Sequence, residues 1–122
     1  MKILRKSFRR HVEPAQLEAS VAFYERIQGT TCDRRLHVEQ ARIDVAVVGD
    51  FIVLSGDDDA LAPMRAVQAT FTVDSLDEFI HWLPTQGAEV LSQPKASGAG
   101  RNATVRHPDG LVVEYFEAKA SP

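Results

Sequence analysis

Glu114 is the first residue that asks for a chemical reading. It stands in "LVVEYFE", a run otherwise mostly apolar, just after the turn His107-Pro108-Asp109-Gly110. A carboxylate so placed can ligate a metal, move a proton, pair with a cation or face water. Other groups with chemistry are scattered. His11, His37, His81 and His107 form no pair at a recognisable metal-ligand spacing. Asp57, Asp58 and Asp59 are consecutive but lack the spaced ligands and closing glutamate of a calcium loop. Cys32 is the single cysteine, so there is no intrachain disulfide or cysteine-rich zinc site, and no adjacent base marks it as a nucleophile. Lys2, Arg5, Lys6, Arg9 and Arg10 cluster near the N-terminus, either as solvated strand residues or as a local anion site.

Composition narrows the classes. The 122 residues suit one domain and can bury a core without staples. A net charge of -3 and a pI near 5.8 argue against general nucleic-acid binding. No stretch has the length of a membrane helix, and the basic N-terminus is not followed by the apolar core of a signal peptide. With a free thiol, the expectation is a cytoplasmic protein without membrane or nucleic-acid partners.

The elements that must position these groups follow from spacing. Residues 3–12 read as a strand with Leu4, Phe8 and Val12 on one parity. "EPAQLEASVAFYERIQG" reads as a helix opened by Pro14 and closed by Gly29, with Leu17, Val21, Tyr24 and Ile27 on its apolar face. Extended segments at 31–39, 42–48 and 51–55 follow, the last two joined by a hairpin at Gly49-Asp50. "SGDDDALAP" reads as an exposed linker. The second half repeats the plan. "VQATFTVD" alternates as a strand does. Ser75-Leu76-Asp77-Glu78 is a capping box before a helix with Phe79, Trp82 and Leu83. "PTQGAEVL" starts a strand, "SQPKASGAG" reads as a loop, and "RNATVR" with "LVVEYFE" makes a closing hairpin. The order β-α-β-β-β therefore occurs twice, with a period of about 60 residues. This predicts an α+β fold in one domain, 1–122, with module one at 1–56, a linker at 57–64 and module two at 65–122.

With "LEASVAFYERIQG", "QATFTVDSLDEF" and "GRNATVRHPDGLVVEYFE", the chain resembles the vicinal oxygen chelate superfamily, which includes glyoxalase I, bleomycin resistance proteins and extradiol dioxygenases. The resemblance implies two βαβββ modules forming a curved mixed sheet cup, and a homodimer. It also implies metal-ligand positions on the first and fourth strand of each module, facing the cup. One of these is Glu114. By strand alternation Val112 and Phe116 share its face, while Leu111, Val113 and Tyr115 take the helix side. Gln68 stands at another ligand position, with Thr70 and Thr72 on its parity and Ala69, Phe71 and Val73 opposite. Module one departs from the pattern. Arg5 or Ser7 occupies its first-strand position and Leu54 its fourth-strand position, and neither arginine nor leucine can ligate a metal. His11 shares the cup-facing parity of Arg5 and Ser7, near the rim.

The implied function is a metal-free small-molecule-binding protein that holds or sequesters its ligand. The expected lining is Arg5, Ser7, Ile52, Leu54, Gln68, Thr70, Arg101, Val112, Glu114 and Phe116. No catalytic residue is assigned and no cofactor is expected. The alternative is a glyoxalase- or dioxygenase-like enzyme, a metal-dependent lyase, isomerase or dioxygenase, with a divalent ion on Gln68 and Glu114. A third possibility is an interaction module whose cup closes on a partner.

Overall fold

Pro14 and Gly29 bracket the first helix for reasons of backbone chemistry. In the computed structural model, which describes residues 1–120, strand β1 (Ile3–Val12) turns through Pro14–Gln16 into helix α1 (Leu17–Gln28). Proline has no amide to leave unpaired in that first turn. Gly29 ends the helix at φ 64°, in the left-handed region that strains any residue with a side chain. Strands β2 (Arg34–Val38), β3 (Ile43–Val48) and β4 (Phe51–Ser55) follow. The chain divides into two compact units, Ser7–Ala66 and a second formed by Met1–Lys6 with the chain from Val67 onward.

In the first unit the strand order is β2-β3-β4-β1. β4 runs parallel to β1 and antiparallel to β3. One sheet face buries Ala46, Val48 and Val53 against Val21 of α1, with Leu17 and Tyr24 packed beside them. Ile27 was expected on this face and is 57% exposed instead. It lies about 80° around the helix from Leu17, whereas Gln28 comes within about 20° and takes the inward position. The Gln28 Nε2 donates to the Val48 carbonyl at 2.9 Å, and its Oε1 accepts from the Asp50 amide at 3.0 Å. The helix thus ends by satisfying the β3–β4 turn rather than by adding apolar contact.

The opposite face of this sheet carries a correction. Residues 57–64, expected as an exposed linker, contain a short helix, α2 (Asp58–Leu61), running into a 3-10 turn at Ala62–Met64. Ala60 and Leu61 are buried with Ile43 and Leu54, and Met64 packs against the same cluster. The three aspartates explain how so polar a segment folds. Asp57 accepts from the Ala60 amide at 2.8 Å and caps the helix. Asp57 and Asp58 also pair outward with Arg42 and Arg65, at 3.5 and 3.1 Å. Charge goes to solvent while the two apolar residues turn inward.

The second unit is ordered β5-β8-β7-β6, with strands β5 (Ala69–Val73), β6 (Glu89–Ser97), β7 (Gly100–Arg106) and β8 (Val112–Ala118). β5 and β8 are parallel, and the other pairs antiparallel. Helix α3 (Leu76–Trp82) begins at Ser75, whose Oγ accepts from the Glu78 amide at 3.4 Å. A second cap comes from β8, where Glu117 accepts from the Leu76 amide at 2.7 Å. Leu76 and Phe79 pack on Val73, Ala103, Val105, Val113 and Tyr115. "SQPKAS", expected in a loop, instead completes β6. Its pairing with β7 is broken by irregularities between Val90 and Lys95. An edge strand with a bulge tolerates Pro94, which cannot donate to a ladder. Among the described residues no helix is long and apolar enough to cross a membrane.

Two measurements test this packing. Leu61→Ala is expected to lower stability by roughly 2–5 kcal/mol, read as an earlier urea midpoint at unchanged slope. A loss under 1 kcal/mol would mean that α2 does not hold the sheet face. Burial pushes the Tyr115 phenol up to about 12, and its hydroxyl lies 2.7 Å from His107 Nε2. The folded state keeps a proton that the unfolded chain releases near pH 10. Stability is therefore full below pH 10 and falls as pH rises toward 12. Ultraviolet titration of Tyr24→Phe, which leaves Tyr115 as the sole tyrosine, should show its ionisation only in that upper range.

Candidate functional site

The sheet face of the second unit away from α3 gathers the polar groups. Parallel register sets Thr70 across from Glu114 and Thr72 across from Phe116. Antiparallel register sets Thr104 across from Glu114 and Asn102 across from Phe116. Residues directly opposite in a ladder share a face. Glu114 is therefore flanked by two hydroxyls. Thr70 is 5% exposed and its Oγ1 lies 3.4 Å from Glu114 Oε1. Val112 is buried, Phe116 is half-buried, and Gln68 is exposed with its backbone N–H donating to the Val112 carbonyl at 3.0 Å. Arg5 is exposed on the stretch of β1 that belongs to this unit. Sequence reasoning missed Asn102 and Thr104. The signal was present, since Ala103 and Val105 are the apolar parity of β7 and leave the even positions to the other face.

Arg101 lies elsewhere. It shares the parity of Ala103 and Val105 and so sits on the helix side. There its guanidinium forks onto the Asp77 carboxylate of α3 at 3.0 and 3.2 Å, which holds that carboxyl below its usual range. Arg101 is thus not brought to Glu114.

In the first unit Ser7 is buried at 5% exposure, on the β1 face away from α1. Ile52 and Leu54 are on the matching face of β4, and both pack with the α2 segment, Leu54 as part of the buried cluster. Leu54 is therefore core on the face where the sequence predicted a ligand wall. His11 pairs in register with Leu54 and Arg9 with Ile52, so both lie along this face.

The histidines divide by environment. His37 is exposed between Asp44 at 2.9 Å and Glu39 at 3.0 Å, which raise its pKa, mainly through the Asp44 hydrogen bond. His107 bonds the Tyr115 hydroxyl and serves the core. His11 is pulled the other way. Burial lowers its pKa most, then the cations of Arg9 and Arg65.

The superfamily that the sequence resembles includes metal enzymes, so the donor set has to be judged. Among the described residues no group of three or more His, Cys, Asp or Glu could hold a metal ion. Within its own sheet Glu114 is bordered by threonine hydroxyls, with an amide and apolar side chains on the same face. A catalytic metal needs about three good protein ligands, and threonine hydroxyls are poor ones for a transition metal. The residues do not fit such a centre.

No protein-family model and no curated protein matches the chain. Solved structures do. Methylmalonyl-CoA epimerase from Mycobacterium tuberculosis is similar at a TM-score of 0.66 and 16% identity, over 97% of this chain and 90% of that one. A mutant of 4-hydroxymandelate synthase from Streptomyces coelicolor is similar at a TM-score of 0.62 and 14% identity, over 95% of this chain and 49% of that one. At such identities the likeness shows the fold alone. The fold is that of these structures, two βαβββ modules of the glyoxalase/bleomycin resistance type. An uncharacterized protein from Methanosarcina mazei is similar at a TM-score of 0.88 and 38% identity, over 100% of this chain and 98% of that one. The two are members of one family.

The opposite pKa directions give a direct check. In a proton NMR titration His11 should protonate below 6.5 and His37 above it. For His11 the sign of the stability effect follows. The unfolded chain takes up this proton first, so the His11 contribution is full above pH 6.5 and is lost as pH falls through the folded value. Reversed order of the two resonances would refute the environments given to His11 and His37.

Proposed function

We propose that the chain is a metal-free small-molecule-binding protein. Its ligand lies on the second-module sheet face around Gln68, Thr70, Val112, Glu114 and Phe116, with Asn102 and Thr104 added to that set. The observation that carries this is the Thr70–Glu114 pair. A carboxylate on the sheet face opposite the helix core, next to a buried hydroxyl, is a fixed polar anchor among apolar surface. Small-molecule sites have that composition. Arg5 supplies a permanent cation on the same unit that suits a ligand carboxylate or phosphate.

The protein acts as a homodimer in this reading. Phe8, Phe23 and Ile27 are 61%, 50% and 57% exposed in the first unit, and Phe8 stacks on Phe51 at 5.3 Å. Exposed apolar patches of this kind mark association surfaces. The free thiol of Cys32 suits a reducing compartment, the cytoplasm.

A thermal-shift screen of small metabolites against wild type, Glu114→Gln and Thr70→Val tests the site. A ligand that stabilises wild type should lose about tenfold or more in affinity in Glu114→Gln, since hydrogen bonds to charged groups are worth about 1.5–3 kcal/mol. Equal shifts in all three proteins would remove the site. Elemental analysis of the purified protein should find no stoichiometric divalent metal. A tightly held ion lost in Glu114→Gln would replace this reading with a metal enzyme.

A further inference from the structure

Arg101 lies on the helix side of the second-module sheet, and the space beside it has no role in the reading above. A groove of about 610 Å³ runs there between α3 and β6. That volume is in the range of small-molecule sites. Asp77, Ile80 and His81 line its helix wall at the i, i+3, i+4 spacing of one helical face, and Pro84 extends that wall into the following 3-10 turn. The other wall is β6, with Val90, Gln93 and Pro94. The breaks in β6–β7 pairing between Val90 and Lys95 fall on this wall. Such irregularities bend a strand and re-aim its side chains, and they are common beside binding sites.

The groove changes character along its length. Pro84 and Val90 lie toward one end, close in sequence across the turn at Gly87, and Ile80 and Val90 both pack against the core below. Arg101 marks the other end. It stands opposite Ala96 in the β6–β7 ladder and forks onto Asp77 in the first turn of α3. From Asp77 to Pro84 the wall spans about 10 Å. The Arg101–Asp77 pair has no net charge but a strong dipole, and its side chains are 40% and 72% exposed, open to a ligand. Glu117 stands opposite Arg101 in β8, but its carboxylate accepts from the Leu76 amide and does not line the groove. A lone anion drawn to the guanidinium is repelled by the adjacent carboxylate, and a lone cation meets the reverse. A ligand that carries both charges gains at both ends of the pair and leaves the pair intact.

We propose that this groove binds a zwitterionic α-amino acid with a large apolar side chain. Its ammonium lies against Asp77, its carboxylate against Arg101, and its side chain along Ile80 and Val90 toward Pro84. This goes beyond the Glu114 site, which occupies the opposite face of the same module's sheet.

The test titrates the full chain near neutral pH with three compounds that share one ring, followed by calorimetry and NMR. Phenylalanine carries both charges, phenethylamine lacks the carboxylate and 3-phenylpropionate lacks the ammonium. Phenylalanine should bind about threefold or more tightly than either, the scale of one exposed ion pair. It should also shift the Gln93 side-chain amide signals. Alanine, with the same head and almost no apolar body, should bind more weakly than phenylalanine. Arg101→Gln should remove the advantage over phenethylamine, and Asp77→Asn the advantage over 3-phenylpropionate. Glu114→Gln should change neither. Equal binding of the three ring compounds would overturn the proposal, as would alanine matching phenylalanine or no saturable binding of phenylalanine. These comparisons are made on wild type and hold whether or not a variant folds. Loss of phenylalanine binding in Glu114→Gln would overturn it too, by assigning the ligand to the other sheet face.

Discussion

Parallel pairing of β5 with β8 is the constraint on which the candidate site depends. It brings Thr70 opposite Glu114, and the alternation of β8 then leaves no freedom. Val113 and Tyr115 must enter the core under α3, so Glu114 must face the other way. A slip of one residue would bury the carboxylate beneath the helix and push a tyrosine and a valine to the opposite face. The helix reinforces the register from outside. Glu117 on β8 caps α3 at Leu76, and the Tyr115 hydroxyl is tied to His107 at the turn before β8. The apolar packing on one face thus aims the polar chemistry on the other.

The two modules share an element order but have diverged on the face away from their helices. In the first, α2 lays Ala60 and Leu61 over Ile43 and Leu54, making a second apolar layer. In the second, the equivalent face keeps threonines, an asparagine and Glu114. The first-module position where the superfamily pattern would put a ligand has become Leu54, a core residue. On that face β1 contributes the polar residues Ser7, Arg9 and His11.

Much of this was legible in the sequence, because two-residue alternation and Gly and Pro punctuation are local signals. They gave β1, α1, the Gly49-Asp50 hairpin, the helix-facing set Val73, Val113 and Tyr115, and the face of Glu114. The failures were of four physical kinds. In α2 only two inward residues follow three aspartates, too few for periodicity to outweigh charge. Pro94 and Gly98 made "SQPKASGAG" look like a loop, though a bulged edge strand accepts proline. Arg101 and Thr104 required one more step, applying the apolar parity of Ala103 and Val105 to their neighbours. The burial of Leu54 was out of reach, since it depends on where a distant segment folds back.

β6 also bears on how copies of the chain can meet. The outermost strand of a sheet offers unpaired amides to any extended chain, and so invites unwanted polymerisation. Here Pro94 withholds one of those donors and the irregular register bends the strand away from a regular ladder. The exposed Lys95 adds a charge that a second edge would have to desolvate. Growth by backbone pairing is therefore discouraged at this border, and contact between molecules is steered toward side-chain surfaces, where sequence can discriminate between partners.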